Sequence, residues 1–164
     1  MALLLENGTG IDGANAFVTT AELGEYLTDR NVDPADYDTD QLEASIIIAS
    51  SDFISTYYTF KGDLLNDEQG MSLPTNNVGI TARVKQATNN AAWLDLQGKL
   101  FVSANDITAN GSIKGTKKAV GTLVTEVEYQ ESEGYTSKYP TPTIDRLLQP
   151  YTLGGFAPSF SKRY

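Results

Sequence analysis

Cysteine and histidine are both absent from these 164 residues. Without cysteine there are no disulfides and no thiolate chemistry, and the redox compartment is left open. Without histidine, Ser-His triads, the usual zinc ligands and the usual general base are excluded together. Basic residues are scarce: 12 Lys and Arg face 21 Asp and Glu, a net charge of −9. Such a field argues against a surface that grips phosphate backbones, while leaving room for a local basic patch. No apolar run approaches membrane-spanning length. The opening MALLL is too short for a signal-peptide core, lacks a basic flank and runs straight into Glu6 and Asn7. The expectation is a soluble protein that stays where it is made. A hydrophobic content of 40% suffices for a modest core in one domain spanning 1–164.

The stretch Asp40 to Gly62 carries the longest helical pattern, and the rest of the chain is expected to organise around it. Leu42, Ile46, Ala49 and Phe53 recur at four- and three-residue steps, with Ile47, Ile54 and Tyr58 beside them. Asp40 with Glu43 is expected to cap its start and Gly62 to stop it. Nothing in it has the character of a catalytic motif.

Upstream, Gly8, Gly10 and Gly13 spell G-x-G-x-x-G, but the next helix signal, the capping box Thr19-Thr20-Ala21-Glu22, begins only after the loop ends. The nucleotide fingerprint therefore lacks its context, and a turn-rich N-terminal arm is expected instead. A first helix should run from about Thr20 to Asp29. Asp36, Asp38 and Asp40 alternate as in a calcium loop, yet Gln41 and Ile47 stand where glycine and a bidentate acid are needed. Helix-capping acids in a solvated turn are the better expectation.

After a loop broken by Gly70 and Pro74, a helix is predicted over roughly Gly79 to Gln97, with Ile80, Val84, Ala87, Ala91 and Leu94 on one stripe and Gly98 as its stop. Its alanines suit close helix packing, and Trp93 reads as core filler, with an anchor for a contact with another subunit as the alternative. Residues 112–129 alternate in strand fashion, predicting a hairpin turning at Gly121. There Lys114, Lys117 and Lys118 are expected opposite Glu126 and Glu128. A lone hairpin is marginal in water and needs helices or a neighbouring chain to complete it. Thr143 is expected to cap a short final helix, IDRLLQ. The segment 151–164 then spaces Tyr151, Phe156, Phe160 and Tyr164 around Lys162 and Arg163, the pattern of a docking arm for another protein, with a tail folded back on its own domain as the alternative.

The pieces ENGTGIDGANAFVTTAE, LEASIIIASSDFISTYYTFKG, QGMSLPTN, VKQATNNAAWL, EVEY and YPTPTIDRLLQPY, in this order, resemble the head–tail adaptor (connector) proteins of tailed phages, a family also labelled DnaT-like single-strand DNA-binding. The likeness spans nearly the whole chain to about Tyr151. Leu73-Pro74 stands where that family has a Trp-Pro pair, a departure that touches only the packing of its loop. The resemblance implies a mainly α domain, a bundle of about four helices with an inserted β-hairpin and extended N- and C-terminal arms. It also implies a ring of copies, typically twelve, under the portal, bridging portal protein to a tail or stopper protein and lining the DNA channel. That places the protein at the head–tail junction of the virion, and in the host cytoplasm during assembly. It implies no enzyme activity, no cofactor, no metal and no membrane. The arm residues Tyr151, Phe156, Phe160, Lys162, Arg163 and Tyr164 would dock on portal or subunit. Glu126 and Glu128, if they face the channel, would repel DNA as it slides; a plain solvated strand face explains them equally.

Two other classes stay open. A single-strand DNA-binding replication protein would need a basic groove interleaved with aromatics, and nine tyrosines supply only the aromatics. A metal-dependent enzyme using the aspartates would need a fixed carboxylate motif, which is missing.

Overall fold

The computed structural model describes residues 2–101, 113–119, 124–129 and 141–153. The chain divides into two compact units, Met1–Leu100 with Thr141–Tyr164, and Phe101–Pro140. The first is mainly helical. It contains α1 (Thr20–Thr28), a 3-10 turn (Pro34–Asp36), α2 (Thr39–Ile47), a π-helical segment (Ile48–Ile54), α3 (Ser55–Tyr57), α4 (Ala82–Leu96) and α5 (Pro142–Leu148).

Local chemistry sets most helix starts. Thr19 accepts from the Glu22 amide while the Glu22 carboxylate accepts from the Thr19 amide, the expected capping box on α1. Thr81 caps α4 through the Val84 amide, two residues later than the pattern suggested. Glycine fits after α4 because Gly98 takes φ +65°, beyond the reach of most side chains. Two expected caps are displaced. On α2 the box is Asp38 with Gln41, because the 3-10 turn ends at Asp36 and delivers Asp38 to the N-cap; Asp40 falls inside the helix. On α5 the N-cap is Thr141, since Pro142 already occupies the first helical turn and puts Thr143 within it.

The Asp40–Gly62 stretch is not one α-helix. It widens to π geometry at Ile48 and ends at Tyr57, with Tyr58 extended, so Gly62 lies in a later turn. The π segment aims Ala49, Ser50, Phe53 and Ile54 inward, and the next buried ring, Tyr58, follows Phe53 by five residues. Nor is this stretch the hub. That role belongs to α4, which packs on α1, α2, the π segment and α5. Ala87, Ala91 and Ala92 are fully buried on α4, and such small side chains let several helices approach one axis. Trp93 is half-buried against the same core, as filler should be.

The N-terminal segment is no extended arm. Ala16, Phe17 and Val18 are fully buried, and Leu5 bridges Ala16. Ser50 and Ser51 of the π segment bind it: the Phe17 amide donates to Ser50 Oγ, and Ser51 Oγ donates to the Asn15 carbonyl. Leu73 is fully buried, so the loop without the family's Trp-Pro pair still packs inward.

In the second unit, β1 (Ile113–Ala119) and β2 (Val124–Tyr129) pair antiparallel. Lys117 is the register partner of Glu126, whereas Glu128 lies opposite Gly115. The expected turn at Gly121 lies outside the described residues.

Two carboxylates in the helical unit give opposite pH responses. Burial raises the pKa of Asp95, and nearby Asp52 adds to this, against a hydrogen bond donated by Ser45. Glu22 is also pushed up by burial, but its bonds to Lys85 and Thr19 prevail and hold it below the usual range. Stability from Glu22 is therefore present above the unfolded-state pKa and lost as pH falls through its lower folded value. Asp95 has the reverse sign: its ionised form disfavours the fold, and the penalty disappears as pH falls through its raised value. Thermal unfolding from pH 7 to below the carboxylate range should show Asp95→Asn at least as stable as the parent at pH 7. Glu22→Gln should be less stable at pH 7 and converge with the parent in acid. Parallel pH profiles for both variants and the parent would refute this assignment.

Candidate functional site

The glycine loop is the first place to test for a ligand. Gly8, Gly10 and Gly13 all have positive φ, so backbone amides converge there as they do around bound phosphates. The convergence is already occupied. Glu6, only 3% exposed, places its Oε1 against the amides of Gly8, Thr9 and Gly10 at 2.8, 3.0 and 3.0 Å. Its Oε2 accepts from the Ile11 amide at 2.7 Å. An intramolecular carboxylate thus fills the cradle a nucleotide phosphate would need. Sequence reasoning missed this role, although an acid two residues ahead of a glycine-rich loop was its visible signal.

A second loop packs on the first and is organised the same way. Gln69 is buried, donating through Nε2 to the carbonyls of Met71 and Pro74 and accepting at Oε1 from the Leu65 amide. A side chain at Gly10 would begin 2.9 Å from that Oε1, and one at Gly70 would begin 2.7 Å from the Ala14 carbonyl oxygen. The two loops leave no room for a ligand at those points.

Of the three aspartates in the suspected calcium loop, Asp38 is a cap, whereas Asp36 ends the 3-10 turn and Asp40 lies in the first turn of α2; Asp33, upstream, caps the 3-10 turn. Asp33 accepts from the Ala35 amide and Asp38 from Gln41. Among the described residues, no group of three or more acidic side chains is placed to hold a metal. No described helix is long and apolar enough to cross a membrane.

Of the residues expected in a docking arm, only Tyr151 falls among the described residues. Tyr151 is half-buried against the core, and its carbonyl accepts from the Lys61 amide. Phe60 bridges Thr152, and the Leu153 amide donates to the Thr59 carbonyl. Residues 151–153 are therefore a pinned strand, and Tyr151 is no free anchor. Phe156, Phe160, Lys162, Arg163 and Tyr164 lie outside the described residues. Glu126 and Glu128 sit on β2, in the second unit.

Charge is uneven along the chain: the described helical unit is strongly acidic, and the rest of the chain holds six bases beside five acids. Six bases fall in the described helical unit: Arg30, Lys61, Arg83, Lys85, Lys99 and Arg146. Four of them already serve the chain itself. Arg30 stacks over the Tyr26 ring, Lys85 pairs with Glu22, and Lys61 and Lys99 bond the Pro150 carbonyl and Gln97. Sixteen acids share that unit, from Glu6 to Asp145. The remaining bases are Lys114, Lys117, Lys118, Lys138, Lys162 and Arg163. One shallow groove crosses the acidic surface along α2 and the first π residue. It is lined by Asp40 and Glu43 together with Ala44, Ile47 and Ile48.

Fold and surface together define a mainly helical, acidic domain whose buried polar groups organise loops. The family described as "Putative DnaT-like ssDNA binding protein" matches residues 1–163, and the chain belongs to that family. No curated protein and no solved structure matches it.

Proposed function

We propose that this chain is a non-enzymatic adaptor of a tailed phage, assembling as a ring of copies between the portal protein and a tail or stopper protein at the head–tail junction. The acidity of the helical unit carries the proposal. A ring surrounding DNA should not bind it, and an acidic helical unit with four of its six described bases engaged internally repels phosphate. The order of sequence motifs along nearly the whole chain supports the same assignment. The β1–β2 pair, too small to be stable alone, suits an inserted hairpin completed by a neighbouring copy. The arm that reaches the portal would then be 154–164, following the pinned strand.

Sedimentation velocity of the protein with and without its cognate portal tests this. The expected result is a heavy complex with the portal that disappears when residues 154–164 are deleted. Binding that survives the deletion removes the arm from the proposal, and no binding to an intact portal removes the adaptor.

The family description favours a second function, binding of single-stranded DNA. Among the bases not engaged within the helical unit, Lys114, Lys117, Lys118, Lys162 and Arg163 are the candidates to perform it. Their involvement would give a mobility shift whose logarithmic affinity falls against log salt with a slope of about −0.7 per phosphate contacted. A salt-sensitive shift abolished by replacing those five residues would place DNA binding ahead of the adaptor.

A further inference from the structure

We infer that residues 154–164 dock into the α2 groove of their own chain, a latch that sequesters the tail until a partner competes for it. In helical register Asp40, Glu43, Ala44 and Ile47 fall on one stripe at three- and four-residue spacing, and Ile48 follows Ala44 by four. This stripe lies beside the core-facing Leu42 and Ile46, so α2 carries a second, partly apolar face. Ile48 leans on the core, whereas Ile47 does not pack against it. Lys85 with Glu22 is the ion pair among the described residues, which leaves the Asp40 and Glu43 carboxylates available to a cation.

The tail offers the complement. Its sequence, GGFAPSFSKRY, contains two phenylalanines, then Lys162 and Arg163, and no acid. Two rings suit the apolar lining of Ala44, Ile47 and Ile48, and two cations suit Asp40 and Glu43. Reach permits the same-chain arrangement. The tail starts at Leu153, tied to Thr59 just beyond the end of α3. From there back to Ile47 is about 15 Å of helix at 1.5 Å per residue. Residues 154–160 span up to about 25 Å when extended. A tether of that length holds its ligand at millimolar effective concentration, enough to favour the same chain over a second copy.

The absence of cysteine makes the test direct. Ser161→Cys in the full-length protein takes a single nitroxide, and the Ile47 and Ile48 methyl signals report its approach. The expected result is strong broadening of both signals that persists on dilution. It should be absent when nitroxide-bearing protein without isotope label is mixed with isotope-labelled protein that carries no nitroxide. Phe156→Ala with Phe160→Ala should relieve the broadening, as should Lys162→Glu with Arg163→Glu; adding Asp40→Lys and Glu43→Lys to the latter pair should restore it. Unbroadened signals overturn the latch. Broadening seen equally in the mixture also overturns it, by assigning the groove to the tail of a second copy. Portal binding is decided separately, so either failure leaves the adaptor proposal standing.

Discussion

Glu6→Ala should lower the unfolding free energy by about 3 kcal/mol, from the loss of charge-assisted hydrogen bonds and the stranding of their donors. Four backbone amides terminate on this one carboxylate, and its surroundings are nearly dry. Alanine would leave the Gly10 amide buried without its acceptor, in a loop held open by three positive-φ glycines. Glu6→Gln is the informative companion. Its carbonyl can still face Gly8, Thr9 and Gly10, but its NH2 group would meet the Ile11 amide donor to donor. A loss of about 1–2 kcal/mol is expected, between parent and alanine variant. Urea unfolding followed by circular dichroism measures both. If Glu6→Ala unfolded within ~0.5 kcal/mol of the parent, the loop would owe its order to Gln69 and the neighbouring loop instead.

Phe53→Ala should be more damaging still, at about 4 kcal/mol, within the range for emptying a buried phenylalanine site. Phe53 is fully buried in the π segment, with its ring centroid 5.4 Å from Tyr57 and 6.0 Å from Tyr58. Truncation opens a cavity on the helix face against which α4 packs, and α4 also carries α1 and α5. The π geometry limits repair, because its side-chain spacing differs from the α-helical turns on either side. Native domains have about 5–15 kcal/mol in reserve, so this variant should be marginal at 37 °C. Phe53→Leu, which retains most of the volume, should lose about 1 kcal/mol. Equal losses for leucine and alanine would show that the aromatic contacts, and not the filled volume, hold the segment in place.

The sequence made the helices legible where local chemistry and the 3.6-residue period agree. Thr19 with Glu22 announces α1, and Val84, Ala87 and Ala91 mark the buried face of α4. Around α2 two acid-led boxes overlap, Asp38 with Gln41 and Asp40 with Glu43; the preceding 3-10 turn, a tertiary detail, chooses the first. The π segment was hidden because Ala49, Phe53 and Ile54 satisfy an α-helical pattern as well. Only the five-residue step from Phe53 to Tyr58 departs from it. The buried roles of Glu6 and Gln69 were hidden for a different reason. Polar side chains in loops read as solvated unless the backbone donors and acceptors around them are known. Of the residues expected in the arm, Tyr151 is half-buried against the core, a contact that aromatic spacing alone does not reveal.

The pinned strand has a mechanical consequence. A partner pulling on residues beyond Leu153 would not load α5 alone. Tension would pass through the bonds of Leu153 to Thr59, of Lys61 to Tyr151, and of the Lys61 ammonium to Pro150. It would enter the domain next to Tyr58, whose hydroxyl donates to Asp145 of α5. The segment after α3 and the last helix would then share the force, and the chain's exit point would behave as a clamp.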